Sequence, residues 1–319
     1  MIPTTRTEIS HGVDNTWTDV DVTTYVKPGD TAGVMLEIVN TTGNEHTWGV
    51  RKNDSTDDIT GVIEDTGHTW AAIGVDSDDI FELYLSDASE VDVYIVAYMT
   101  HSEATFLTNA SLKNVVNTYT WEDIDISGDL GNDIPKVVFA LVKNDGAAAL
   151  ARWGIRNDGS TDDFWGRMFD GDLRGAMSGI SSSGVFEGYA QVAADIDFYV
   201  VGWMTANVVA FVNGISYVAS GAGNWEDVNF STNIPNGWNG AFWHFNEQNA
   251  EYAGGIRKDG AIYDNYYDIS EIQQGWVEIT QTGLAEQKVE NTGLELYLWG
   301  YTKEWVPRNP SSLNNPSVY

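Results

Sequence analysis

Two stretches of this sequence place oxygen-bearing side chains densely enough to hold a hard cation. Asn53-Asp54-Ser55-Thr56-Asp57-Asp58 and Asn157-Asp158-Gly159-Ser160-Thr161-Asp162-Asp163 each gather carboxylates, hydroxyls and an amide into a turn, the donor set that calcium takes. The candidate ligands are Asp54, Asp57, Asp58, Asp158, Asp162 and Asp163. Calcium is the one cofactor they suggest, and no other cofactor is expected. Neither stretch has the spacing or the closing Glu of an EF-hand loop, so both also suit a plain solvated hairpin.

Other constellations are weaker. Glycoside hydrolysis needs two carboxyl groups roughly 5–9.5 Å apart, but among 47 acids some pair always qualifies. The pairs Asp19/Asp21 and Asp123/Asp125 alternate with apolar residues, as the polar face of a strand does. There is no nucleophile elbow, phosphate loop or His-Glu-x-x-His motif. The five histidines, His11, His46, His68, His101 and His244, share no repeated position. An enzyme is therefore not expected, and a glycan-degrading one is the least favoured reading. Binding is better served by Trp238, Trp243, Tyr263, Tyr266 and Tyr267, which cluster among Gly and Asn residues. Flat rings in loops stack on sugars, and they equally suit an interface between subunits.

The composition narrows the partners. With 47 acidic and 16 basic residues in 319, the formal charge is -31. A surface this negative repels phosphate backbones, which argues against nucleic acid. The absence of cysteine removes disulfides and thiolate chemistry. No apolar run approaches the ~20 residues of a membrane span. The acidity reads either as a soluble surface or as adaptation to brine, where a Debye length of about 3 Å at 1 M salt mutes self-repulsion. Met1-Ile2-Pro3-Thr4-Thr5-Arg6 lacks the apolar core of a signal peptide, so synthesis in the cytoplasm is expected.

The elements that must position these residues repeat three times. Trp17-Thr18-Asp19-Val20-Asp21-Val22, Trp121-Glu122-Asp123-Ile124-Asp125-Ile126 and Trp225-Glu226-Asp227-Val228-Asn229-Phe230 begin at intervals of 104 residues. Each is followed by a second block: Gly49-Val50-Arg51-Lys52-Asn53-Asp54-Ser55, Gly154-Ile155-Arg156-Asn157-Asp158-Gly159-Ser160 and Gly255-Ile256-Arg257-Lys258-Asp259-Gly260-Ala261. A third block closes each unit: Val93-Tyr94-Ile95-Val96-Ala97-Tyr98, Phe198-Tyr199-Val200-Val201-Gly202-Trp203 and Leu296-Tyr297-Leu298-Trp299-Gly300-Tyr301. Ordered self-similarity of this kind is the mark of tandem modules. Within a unit, Val, Ile, Thr and aromatics alternate with polar residues between Gly, Asn and Asp punctuation, and no helical period is sustained. The expected fold is all-β: three tandem antiparallel β-sandwich modules of jelly-roll or immunoglobulin-like kind, at 1–106, 107–212 and 213–305, with an extended tail at 306–319. The recurring Arg51, Arg156 and Arg257 are expected to pair with acids of their own module, those of the opening strand among them. The opening tryptophans are expected to anchor the core.

The blocks Trp-x-Asp-Val-Asp, Gly-Ile-Arg-Lys-Asn/Asp-Gly-Ser-Thr-Asp and Asp-x-Tyr-x-Val-Gly-Tyr resemble β-sandwich modules of virion surface proteins from tailed viruses of bacteria and archaea. The resemblance covers residues 10 to about 303 and departs at Ala261-Ile262-Tyr263. It implies a non-enzymatic virion protein, a capsid decoration, turret or tail-fibre component on the virion surface. The implied partners are further copies of itself, with a trimer favoured, together with other capsid or tail proteins. The acidity would suit a virus of a halophilic archaeon. The alternative from the aromatics is an adhesin or receptor-binding protein that recognises a host-surface glycan.

Overall fold

The computed structural model describes residues 1–146, 150–246, 252–264, 266–268 and 272–303; the tail expected at 306–319 lies outside them. Repeat 1 forms β1 (Ile2–Glu8), β2 (Thr18–Asp21), β3 (Thr31–Asn40), β4 (His46–Lys52), β5 (Gly61–Ile63), β6 (His68–Gly74), β7 (Ile80–Leu85) and β8 (Val91–Thr100). Repeat 2 forms β9 (Ala104–Lys113), β10 (Thr120–Asp125), β11 (Val137–Asn144), β12 (Leu150–Asn157), β13 (Gly166–Phe169), β14 (Leu173–Gly179), β15 (Val185–Ala190) and β16 (Ile196–Met204). Repeat 3 forms β17 (Val208–Val218), β18 (Glu226–Asn229), β19 (Gly240–Asn246), β20 (Ala253–Lys258), β21 (Tyr267–Asp268), β22 (Ile272–Glu278), β23 (Leu284–Val289) and β24 (Glu295–Thr302). The sequence divisions at 106/107 and 212/213 fall inside β9 and β17, the strands that open repeats 2 and 3. No helix among the described residues is long and apolar enough to cross a membrane.

These strands pair into six small antiparallel sheets of four, arranged as the six blades of a β-propeller. Every repeat feeds two blades alternately. In repeat 1 the orders are β1-β8-β3-β6 and β2-β7-β4-β5, and repeats 2 and 3 follow the same pattern. The interleaving differs from a meander blade, in which sequence neighbours pair. Strands β6, β14 and β22 pack against one another at the centre.

The expectation of three tandem β-sandwiches, jelly-roll or immunoglobulin-like, is thereby corrected. The sheets do not fill three self-contained units in a row, because both faces of the inner strands are apolar. In β11, Val138 and Val142 belong to a core within repeat 2, around Trp153, Phe186, Phe198 and Trp203. Phe139 and Leu141 point the other way, into a cluster that also holds Leu36, Trp70, Trp243 and Trp276 of repeats 1 and 3. Alternation along one strand therefore serves two cores. Small residues let the blades approach at the centre: a Cβ on Gly175 of β14 would overlap the Trp70 carbonyl of β6. The closing strands β8, β16 and β24 are central in their blades, each flanked on both sides, as their two apolar faces require.

Candidate functional site

The recurring block on β4, β12 and β20 builds the same clamp three times. Arg51 donates Nε and Nη2 to Glu82, both at 2.8 Å; Arg156 reaches Glu187 at 2.8 and 3.2 Å; Arg257 Nε reaches Glu286 at 2.7 Å. Each Nη1 donates to a loop carbonyl, of Asp57, Asp162 or Tyr263. Each guanidinium lies over an opening tryptophan, 4.3 Å from the Trp17 ring centre, 4.2 Å from Trp121 and 4.1 Å from Trp225. The indole N–H groups donate to Asp58, Asp163 and Asp264 at 3.0, 2.9 and 2.6 Å. The pairing within a repeat is as expected, but the acids come from β7, β15 and β23, directly across the ladder from each Arg. The tryptophans expected in the core are half-buried instead, covering the clamp from outside.

The loop after each clamp meets the next repeat. At the seam of repeats 1 and 2, Asn109 Oδ1 accepts from the Ser55 hydroxyl (3.0 Å) and the Thr56 N–H (2.9 Å), and Asp57 Oδ2 accepts from the Ala110 N–H (2.6 Å). At the seam of repeats 2 and 3, Asn213 Oδ1 accepts from Ser160 (2.9 Å) and the Thr161 N–H (2.8 Å), and Asp162 Oδ2 accepts from the Gly214 N–H (2.6 Å). Burial raises the Asp162 pKa, and the Gly214 N–H opposes the shift. Each Asn stands in a bulge, between Phe106 and Ser111 of β9 or between Ala210 and Ile215 of β17. The bulge turns its amide toward the neighbouring loop. The cavities left are about 10 Å³ at the first seam and 30 Å³ at the second.

The seam that brings repeat 3 against repeat 1 is built differently. The bulge in β1 lies between Pro3 and Thr7 and is one residue shorter, and Arg6 occupies the staple position. Opposite it, Ala261-Ile262-Tyr263 replaces Ser-Thr-Asp. Arg6 stacks 3.3 Å over Tyr94 and lies 5.1 Å from the Tyr263 ring centre. Its Nε donates to Glu37 Oε2 at 2.6 Å, and His68 Nε2 lies 2.9 Å from Glu37 Oε1. Burial alone would push Glu37 up, but the hydrogen bonds and charges of His68 and Arg6 outweigh it and hold the carboxyl below its ordinary value. Lys258 pairs with Glu278 at 2.7 Å. Between these groups lies a cleft of about 420 Å³, floored by Trp70 and Trp276. At equivalent places, two seams are closed and one is open.

The residues singled out in the sequence are dispersed. Asp57 and Asp162 hold seams, and Asp58 and Asp163 hold tryptophans. Asp54 takes a positive φ of 66° where repeat 2 has Gly159, and Asp158 is half-buried in its turn. Among the described residues the acids whose oxygens converge within 4.8 Å are Asp227, Asp259 and Glu286, on the repeat 3 clamp. Of the aromatics, Trp243 is in the core beside Trp70. Trp238 packs edge-on to Tyr301 at 4.4 Å. Tyr266 lies under Lys288, and Tyr267 pairs through its backbone with Gly254. Tyr263 alone lines the cleft. The residues that sequence reasoning missed are Arg6, Glu37, His68, Asn109 and Asn213. Asn109 and Asn213 are 104 residues apart, the interval of the tryptophans, and that signal was there to be read.

No family model matches the chain, and no curated protein matches it. Among solved structures it is similar to a chain of the Sulfolobus Turreted Icosahedral Virus, with 9% identity and a TM-score of 0.25, covering 95% of this chain and 91% of that one. It is also similar to a protein from Parabacteroides distasonis, with 8% identity and a TM-score of 0.16, covering 62% and 74%. At these scores neither likeness carries an argument.

Proposed function

We propose that this chain is a non-enzymatic structural protein of a virion, a capsid decoration, turret or tail-fibre component that displays a surface to the exterior. The observation that supports this most is how the recurring residues are used. In every repeat the Arg, its Glu, the Trp and its Asp are bonded to one another. What the repeat preserves most fully is a bonded scaffold, and the further recurring acids Asp19, Asp123 and Asp227 stand directly across the ladder from the clamp glutamates. The resemblance of the three repeated sequence blocks to those of virion surface proteins points the same way. Other copies of the chain, as a trimer, and neighbouring capsid or tail proteins are the proposed partners. Mass spectrometry and cryo-electron microscopy of purified particles test the reading: the protein should be present in stoichiometric amount as surface density, and its absence from intact particles would refute it. Light scattering at native salt checks the trimer.

A second reading, recognition of a host-surface glycan, is favoured by one observation. The cleft between repeats 3 and 1, at about 420 Å³, falls in the range of small-ligand sites. A glycan array with isolated protein tests it, and no binding to any sugar would count against it.

A further inference from the structure

The three seams act as internal controls for one another. Two are stapled shut by Asn, Ser, Thr and Asp, and the third has lost all four while gaining Arg6, Tyr263 and a cleft. We propose that this cleft, which under the glycan reading would be the recognition site, binds a sugar acid: a pyranose ring bearing a carboxylate.

Arg51 and Arg156 each donate Nε, Nη1 and Nη2. Among the described residues Arg6 donates Nε to Glu37 and otherwise meets Tyr94, so its two Nη groups are less fully used than those of Arg51 and Arg156. Its plane is fixed by Tyr94 below and Glu37 beside it, and its side chain is 16% exposed. A planar, held guanidinium with donor capacity to spare at a cleft wall is a receptor for a two-oxygen anion. Lys258 supplies a second cation at the mouth, half exposed at 47%. In a chain with 16 basic residues against 47 acids, this cleft is lined by as many cations as acids, Arg6 and Lys258 with Glu37 and Glu278. The rest of the wall is not that of a bare anion site. Trp276, Val277 and Ile256 present carbon surface, Tyr263 a ring face, and Thr5 and Glu278 polar groups. Such a wall fits a carbon ring with hydroxyls at its edge. The carboxylate would go to Arg6 and Lys258 and the ring to the aromatic side.

The test uses the full chain and glucuronate as probe, with glucose and acetate as controls, by isothermal titration calorimetry and saturation-transfer NMR. Glucuronate should bind with a millimolar or tighter Kd, and glucose and acetate at least about tenfold more weakly. Tyr263→Asp installs the residue of the other two seams and should abolish binding. Lys258→Gln, at the exposed mouth, should weaken it about tenfold or less. Arg6→Lys keeps the charge beside Glu37 but removes the fork, and should weaken it more than Lys258→Gln does. Circular dichroism and melting of each variant separate lost binding from lost folding. Glucose binding as tight as glucuronate, and lost in Tyr263→Asp, would overturn the acid assignment and leave the glycan reading standing. Acetate binding as tight as glucuronate, or glucuronate binding unchanged in Tyr263→Asp, would overturn the proposal. No binding of either sugar would overturn the proposal and count against the glycan reading.

Discussion

Replacing Asn213 by Ala measures what a seam staple contributes. Asn213 Oδ1 accepts from the Ser160 hydroxyl at 2.9 Å and the Thr161 N–H at 2.8 Å. Ser160 is 5% exposed, so truncation strands a buried hydroxyl, at about 1–2 kcal/mol, whereas the wetter Thr161 N–H loses about 0.5–1 kcal/mol. The sum is about 1.5–3 kcal/mol. Unfolding entropy near 2.1 cal/mol/K per residue over this length converts it to a fall in Tm of about 2–5 °C. Differential scanning calorimetry reads the shift, and hydrogen exchange at Thr161 shows whether it originates at the seam. Val212→Ala, one residue earlier and 52% exposed, should leave Tm within about 1 °C. An Asn213→Ala protein that melts like wild type, with Thr161 still protected, would refute the claim that these bonds hold repeats 2 and 3 together.

Two buried groups should respond to pH with opposite signs. Burial, reinforced by Glu64 and opposed by Arg174, pushes Asp172 up to about 6. Its contribution is present below the unfolded pKa near 4 and lost as pH rises through about 6, so Asp172→Asn should raise stability at pH 7.5, by up to about 3 kcal/mol, and not at pH 4. Burial pushes His244 down to about 3. There stability is full above the unfolded value near 6.5 and falls as pH drops toward 3, by up to about 1.4 kcal/mol per pH unit, a slope that His244→Gln should remove in urea titrations. Trp17→Phe keeps a ring over Arg51 but loses the 3.0 Å bond to Asp58, and should cost about 0.5–1.5 kcal/mol in chemical denaturation. With a charge of -31, Tm should rise as salt goes from about 0.1 to 1 M and the Debye length shortens from about 10 to 3 Å; a flat response would remove the case for brine adaptation.

The strands, the repeat and the clamp were legible in the sequence because each leaves a local mark. Alternation marks β8, β16 and β24. Asp-Gly marks the turns where Gly159 and Gly260 take positive φ. The 104-residue interval marks the clamp. The blade arrangement left no such mark. Phe139 and Val138 are equally apolar, and nothing local says that one faces the core of its own repeat and the other a core shared with repeats 1 and 3. The cleft was half-legible. Ala261-Ile262-Tyr263 stood out as the departure in repeat 3, but its counterpart Arg6 lies in a strand outside the three landmark blocks and is offset by the shortened bulge. Only the fold puts residues 6 and 263 face to face. The loop aromatics misled because clustering in sequence says little about depth: Trp243 is 1% exposed, while Ile262, two residues before Asp264, is 99% exposed.

A ring of three separate one-repeat chains would have to make all three seams alike, because any substitution in the shared sequence would appear at each of them. Joining the repeats covalently lifts that constraint. Two seams are then enough to hold the ring, and the third is released to diverge. The 10, 30 and 420 Å³ cavities record that division of labour, and a single polypeptide is what makes it possible for the assembly to be threefold in architecture and onefold in its open face.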